Sequence, residues 1–175
     1  MNKTSLVCLI AVSALAACTT ARETGGSTIA TTTLLQADGE VAGKATISRQ
    51  GNALTLSVTA QGITPGPHGI HLHMIGDCSA AGFTSAGGHL NPGKHQHGLQ
   101  NPAGSHLGDL PNIVIGADGT GSLDTVLTGS AADLEPILFD SDGTAVVIHA
   151  APDDNLTDPS GNSGARIACG VLAHS

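Results

Sequence analysis

The stretch ALTLSVTAQG (53–62) alternates apolar and polar residues, with Leu54, Leu56, Val58 and Ala60 on one face and Thr55, Ser57 and Thr59 on the other. A period of two is the repeat of a β-strand, whose successive side chains point to opposite sides. Upstream, STIATTTLLQADG (27–39) reads as a strand running into a turn at Asp38-Gly39. VAGKATISRQ (41–50) reads as a second strand, closed by a turn at Gly51-Asn52. Downstream, PGP (65–67) breaks the chain and HGIHLHMI (68–75) alternates again. PNIVIGADGTGSLDTVLTG (111–129) reads as a hairpin across Ala117-Asp118-Gly119, and TAVVIHA (144–150) and RIACGVLA (166–173) complete the set. The expectation is an all-β domain of eight short strands with no helix, a Greek-key β-sandwich or barrel.

The composition agrees. Twenty-four glycines supply turns, and the many Thr, Ser, Val, Ile and Leu favour strands. At 175 residues the chain suits one domain. A net charge of −8 with no basic cluster excludes nucleic acid as a partner, because phosphate binding needs a Lys/Arg surface.

The first residues stand apart from the fold. MNKTSLVCLIAVSALAAC (1–18) has Lys3, an apolar run from Leu6 to Leu15 and then small residues, the pattern of an export signal. The run is too short to span a membrane. Leu15-Ala16-Ala17-Cys18 resembles the bacterial lipobox, in which the cysteine is acylated and becomes the new N-terminus. Ordinary cleavage nearby, leaving a soluble protein, is the alternative. The expected organisation is a signal peptide at 1–17, a lipidated N-terminus and polar tether at 18–28 and a folded domain at 29–175, held in the periplasm or cell envelope by a lipid anchor. Cys8 leaves with the signal and Cys18 takes the lipid, so Cys78 and Cys169 remain, and two cysteines in an exported domain most often pair. Closing a loop of about ninety residues restricts the unfolded chain by about 4–5 kcal/mol.

Two segments fit neither strand nor short turn: residues 76–110, almost without an apolar run, and APDDNLTDPSGNSGA (151–165). Loops this long in a compact domain are usually functional. The first carries Cys78, His89, His95, His97, His106 and Asp109. His71 and His73, two apart on one strand, point to the same face, and His149 closes a later strand. Neutral imidazole suits copper and zinc, and a carboxylate joining several imidazoles leans towards zinc. Nine histidines with no other concentrated chemistry point to two metals.

The stretches GPHGIHLHMIGDC (66–78), SAGGHLNP (85–92), KHQHGLQNPAGSHLGDLPN (94–112), AVVIHA (145–150) and GNSGARIACGV (161–171) resemble, in order, those of the Cu/Zn superoxide dismutases of bacterial periplasmic type. The resemblance implies copper ligands His71, His73, His89 and His149 and zinc ligands His89, His97, His106 and Asp109, with His89 shared. It implies that Asp153 bridges His71 and His97, with Asp154 as fallback, and that Arg166 guides the anion to copper. His97 is preferred over His95 because it heads HGLQNP; His68 is expected to be a buried support beneath the copper site, and His174 has no role. The implied reaction is dismutation of superoxide to oxygen and hydrogen peroxide, with His89 passing a proton. A non-catalytic copper- and zinc-binding lipoprotein is the alternative.

Two features depart from many relatives of that family. Cys78 directly follows Asp77, and the 151–165 loop carries no lysine, so steering is left to Arg166 with help from Lys94. No strand carries an obvious apolar outer patch, and the oligomeric state is not legible from the sequence.

Overall fold

A computed structural model describes residues 26–174; the expected signal segment and Cys18 lie outside the described residues. Nine strands form one antiparallel sheet: β1 (Ser27–Gln36), β2 (Val41–Gln50), β3 (Ala53–Ala60), β4 (Gly66–His68), β5 (Ile70–His73), β6 (Ile113–Ile115), β7 (Gly121–Val126), β8 (Thr144–His149) and β9 (Arg166–His174). Their spatial order is β4-β6-β7-β3-β2-β1-β9-β8-β5. The two end strands, β4 and β5, are consecutive in the chain, so the row of strands curls into a nearly closed barrel. Closure leaves few unpaired strand edges.

The ninth strand arises across the stretch PGP (65–67), read from the sequence as a break: β4 takes Gly66 and Pro67 from it and His68 from the single strand expected over 68–75. Gly69 divides it: β4 pairs with β6, and β5 pairs with β8. Gly69 donates its N–H to the carbonyl of Ala151 and accepts the N–H of His149, which fastens the division to the end of β8. A Cβ at this position would sit 2.8 Å from that of Ser163, so the crowding requires glycine.

The expectation of no helix is corrected. Residues Ala131–Leu138 form α1, capped by Ser130, whose hydroxyl oxygen accepts the N–H of Asp133. Ala131, Leu134 and Leu138 turn inward. The helix is only eight residues long and contains Pro136, which reads as a breaker. Pro136 is the sixth residue of the helix and brings no N–H to the Ala132 carbonyl, and the helix ends two residues later.

The barrel interior holds Leu34, Ile47, Leu54, Leu56, Ile70, Leu72, Ile113 and Ile148, all fully buried. On β3 the alternation is as the sequence predicts, with Leu54, Leu56, Val58 and Ala60 inward. β5 and β8 differ, since every residue of both strands is buried. Their inner residues join the core, and their outer residues lie beneath loops. A second small cluster of Phe83, Ala86, Ala145, Val147 and Cys169 forms under the 78–89 segment, with Cys78 packed against it. A disulfide joins Cys78 to Cys169 across 91 residues.

Candidate metal centre

The outer face of β5 presents His71 and His73, because Ile70 and Leu72 between them point into the core. His149, at the end of the adjacent β8, shares that face. His89 arrives from the long loop, which lies against β5 through bridges His73–His89 and His71–Asp109. Donor atoms of His71, His73, His89 and His149 all lie within 4.8 Å of one another, and all four side chains are buried.

Each of these rings uses one nitrogen to fix its orientation. His71 Nε2 donates to Asp153 Oδ2 at 2.7 Å, His73 Nδ1 to the Gly87 carbonyl at 3.0 Å, and His149 Nδ1 to the Gly164 carbonyl at 3.1 Å. His89 Nδ1 lies 3.0 Å from Asp109 Oδ1. The other nitrogen of each, His71 Nδ1 and Nε2 of His73, His89 and His149, is buried without a hydrogen-bond partner. Unsatisfied buried polar atoms are costly and rare. Four of them converging, on rings whose other nitrogen is already held, make a cage for a cation that imidazole binds, copper or zinc. Two donors on one ion with bonds of about 2.0–2.1 Å sit no more than about 4.2 Å apart, so the cluster needs only a small contraction.

The second nitrogen of His89 belongs to a different group. Asp109 Oδ1 lies 3.0 Å from His89 Nδ1, 2.9 Å from His97 Nδ1 and 3.1 Å from His106 Nδ1, and the His89 and His106 nitrogens are 3.4 Å apart. A tetrahedral ion with bonds of that length separates its donors by about 3.3 Å, so three nitrogens and one oxygen fit zinc. Asp109 Oδ2 accepts the N–H groups of Gly98 (2.8 Å) and His106 (2.9 Å), leaving Oδ1 for the cluster. His71 also comes within 4.8 Å of His89, His97 and Asp109, but its Nε2 is held by Asp153, and His106 touches Asp109 directly.

Asp153 joins the two groups. Its Oδ2 holds His71 and its Oδ1 accepts from His97 Nε2 at 3.0 Å. Asn112 fixes the backbone of Asp153 from both sides, donating to its carbonyl and accepting its N–H, each at 2.8 Å. A Cβ on Gly161 would overlap the Asp153 carboxylate, so glycine leaves the room that the bridge occupies. Asp154 is instead spent on its own loop, accepting the N–H groups of Leu156 and Thr157. His68 is buried and lies 2.7 Å from the His149 carbonyl and 2.9 Å from that of Thr64, so it braces a cluster residue through backbone and joins neither group. His95 is exposed, with its backbone tied to Asn91.

Burial sets the charge states. It lowers the pKa of His73 to about 2 and that of His149 to about 3, and lowers that of His89 to about 4 against the opposing hydrogen bond to Asp109. Burial alone would raise Asp109 and Asp153. Hydrogen bonds from His89, Gly98 and His106 outweigh it at Asp109, and those from His71 and His97 bring Asp153 down to about 2. His73, His89 and His149 are therefore neutral beside ionised carboxylates at neutral pH, the protonation states that metal binding requires.

A cavity of about 420 Å³ opens over His73, His89 and His149, and Arg166 lines it. The guanidinium is held by two carbonyls of the 78–89 segment, Phe83 at 2.6 Å and Gly87 at 2.5 Å. Gly87 therefore holds both Arg166 and His73. The disulfide anchors this segment at Cys78 while Cys169 lies three residues from Arg166 on β9. Lys94 is exposed and does not line the cavity.

The structure thus brings together His71, His73, His89, His149, His97, His106, Asp109, Asp153 and Arg166. The carbonyls of Gly87 and Gly164, Asn112 and the carboxylate of Asp158, which accepts the His97 N–H at 2.7 Å, are additional partners. Backbone acceptors have no side-chain signature. Asn112 could be sought only as a polar residue closing the ligand-bearing stretch.

A family model for copper/zinc superoxide dismutase (SODC) matches residues 41–172. A Cu-Zn superoxide dismutase of Caulobacter vibrioides is 40% identical over 147 residues, covering 82% of this chain and 84% of the relative. Among solved structures, a superoxide dismutase-like protein from Bacillus subtilis aligns with a TM-score of 0.77 at 38% identity, covering 84% of this chain and 100% of the other. The Cu/Zn superoxide dismutase of Brucella abortus aligns with a TM-score of 0.64 at 31% identity, covering 82% and 98%.

Proposed function

The chain belongs to the copper/zinc superoxide dismutase family, and we propose that it dismutes superoxide at a copper held by His71, His73, His89 and His149, bridged through His89 to a zinc held with His97, His106 and Asp109. The observation that carries this reading is the coincidence of four unpartnered buried ring nitrogens with the one four-histidine group among the described residues. Copper supplies one-electron redox chemistry there, and zinc supplies a fixed charge that orders the loop.

In the net reaction two superoxide anions and two protons give one oxygen and one hydrogen peroxide. The residues of this chain do the rest. Arg166 gives the cavity the positive potential that a small anion needs in an acidic protein. Its two carbonyl partners keep the guanidinium aimed at the cavity rather than at bulk solvent. His73 and His149 stay neutral and oriented through Gly87 and Gly164. His89 Nε2, at the cavity wall, is the atom that takes up a proton and returns it. A store for metal would need no anion guide, which separates this reading from that of a non-catalytic metal-binding lipoprotein.

The chain is assigned to the periplasm, with residues 1–17 removed as a signal and Cys18 acylated. The disulfide suits an oxidising compartment. The purified, disulfide-intact protein is expected to carry copper and zinc at a ratio near one and to consume superoxide. Full occupancy of both metals with no superoxide consumption would overturn the enzymatic reading, and a mature N-terminus without lipid would overturn the anchor.

A further inference from the structure

Each metal-binding ring normally has its second nitrogen held by an outer partner, commonly a carboxylate. In the proposed zinc group this is so for His97, which bonds Asp153, while the second nitrogen of His89 faces the other cluster. His106 is the exception. Its Nε2 has no hydrogen bond within the described residues, and the nearby carboxylate is Asp158, whose Oδ1 lies 3.9 Å away. The same oxygen accepts the backbone N–H of His97 at 2.7 Å. Asp158 belongs to the 151–165 loop, and the next two residues, Pro159 and Ser160, line the cavity beside His106.

Resting on the proposed zinc assignment, we propose that Asp158 is a positioning residue of the zinc group, holding His97 by a backbone hydrogen bond and His106 by its charge. One carboxylate oxygen thereby ties the cavity-lining loop to two consecutive zinc-side histidines. A cation bound at His106 Nδ1 polarises the ring and draws the Nε2–H towards the carboxylate. The side chain is half exposed, so its contribution lies in geometry rather than in burial. An ordinary surface aspartate would cap the His97 N–H and leave His106 indifferent, and the two cases respond differently to substitution.

The test uses the full, disulfide-intact protein, stripped of metal and titrated with Zn2+ against a chromophoric chelator. Asp158→Ala loses both contacts, and its zinc affinity is expected to fall by roughly 10- to 100-fold, with a smaller change in copper affinity. Asp158→Asn keeps an acceptor oxygen for His97 and loses the charge, so its zinc affinity is expected to lie between. Co2+ bound in place of zinc reports geometry, and its visible absorption is expected to shift in the alanine variant. Zinc affinity in Asp158→Ala within twofold of the parent would overturn the proposal, as would copper and zinc affinities falling by one common factor. An Asp158→Asn variant equal to the parent would remove the His106 half, and one equal to Asp158→Ala would remove the His97 half. Failure of the parent itself to bind zinc would instead remove the metal assignment on which the proposal rests.

Discussion

β3 and β5 lie a few residues apart in the chain and bury their side chains differently. On β3 the inward residues Leu54, Leu56, Val58 and Ala60 are buried, and Thr55, Ser57 and Thr59 between them stay partly or fully exposed. On β5 all four residues are buried, Ile70 and Leu72 by the core and His71 and His73 by the loops laid over the outer face. Water satisfies the polar side of β3. On β5 water is excluded, so each histidine needs a fixed partner, and the nitrogens left over point at one another. The apolar barrel gives stability, and the covered outer face gives chemistry.

Separating the two sides should break this contrast in measurable ways. The largest effect is expected from the tie that holds the cover down. Replacing Cys78 and Cys169 by alanine releases a loop of 91 residues and should cost about 4–5 kcal/mol of stability in denaturant titration. It should also lower activity per bound copper, because Arg166 depends on the 78–89 segment. Activity per copper equal to the parent would detach Arg166 from the disulfide. Next, Leu56→Ala opens a cavity in the core and should cost about 2–5 kcal/mol. The folded fraction should keep its metal content, since β3 holds no ligand. Metal loss in folded Leu56→Ala would show that core and site are not separable.

Gly161→Ala replaces no ligand, yet its Cβ would overlap the Asp153 carboxylate and lie 2.7 Å from His97 Nε2. Loss of an outer partner typically weakens metal affinity by roughly 10- to 100-fold, and chelator competition should read a change of that size. The covered face should also be visible in acid. His73, His89 and His149 have folded-state pKa values of about 2, 4 and 3, below the ordinary 6.5, so the unfolded chain binds more protons over that interval. Stability of the metal-free protein is therefore full above about pH 6.5 and lost as pH falls towards 4 and below. A melting temperature that stays level from pH 7 to 4.5 would contradict this. The smallest structural effect is expected of Arg166→Ala, which should leave metal content intact and slow superoxide consumption mainly at low ionic strength, where steering is strongest. Copper loss in that variant would make Arg166 structural.

Much of the barrel is legible in the chain because alternation survives wherever one face meets water, as in 53–60. It fails where partner strands change. Nothing in HGIHLHMI marks Gly69 as the point where pairing passes from β6 to β8. It also fails at α1, where Pro136 hides an eight-residue helix whose real signal is Ser130 followed by Asp133. In the candidate site, side chains with metal chemistry could be named from type and spacing, and Asp153, 56 residues from His97, from the family resemblance. The partners that aim them could not, since the carbonyls of Gly87 and Gly164 act through backbone that any residue carries. His68 illustrates the limit of residue type, because it is a histidine three positions from His71 and braces the backbone of His149 instead of joining the cluster.

The central claim is that one side chain, His89, faces two metals. Anomalous diffraction from crystals of the metal-loaded protein, measured at the copper and zinc absorption edges, tests it most directly. Two peaks are predicted, copper beside His89 Nε2 with His71, His73 and His149, and zinc beside His89 Nδ1 with His97, His106 and Asp109. A single peak, or one metal at both positions in an active preparation, would contradict the account.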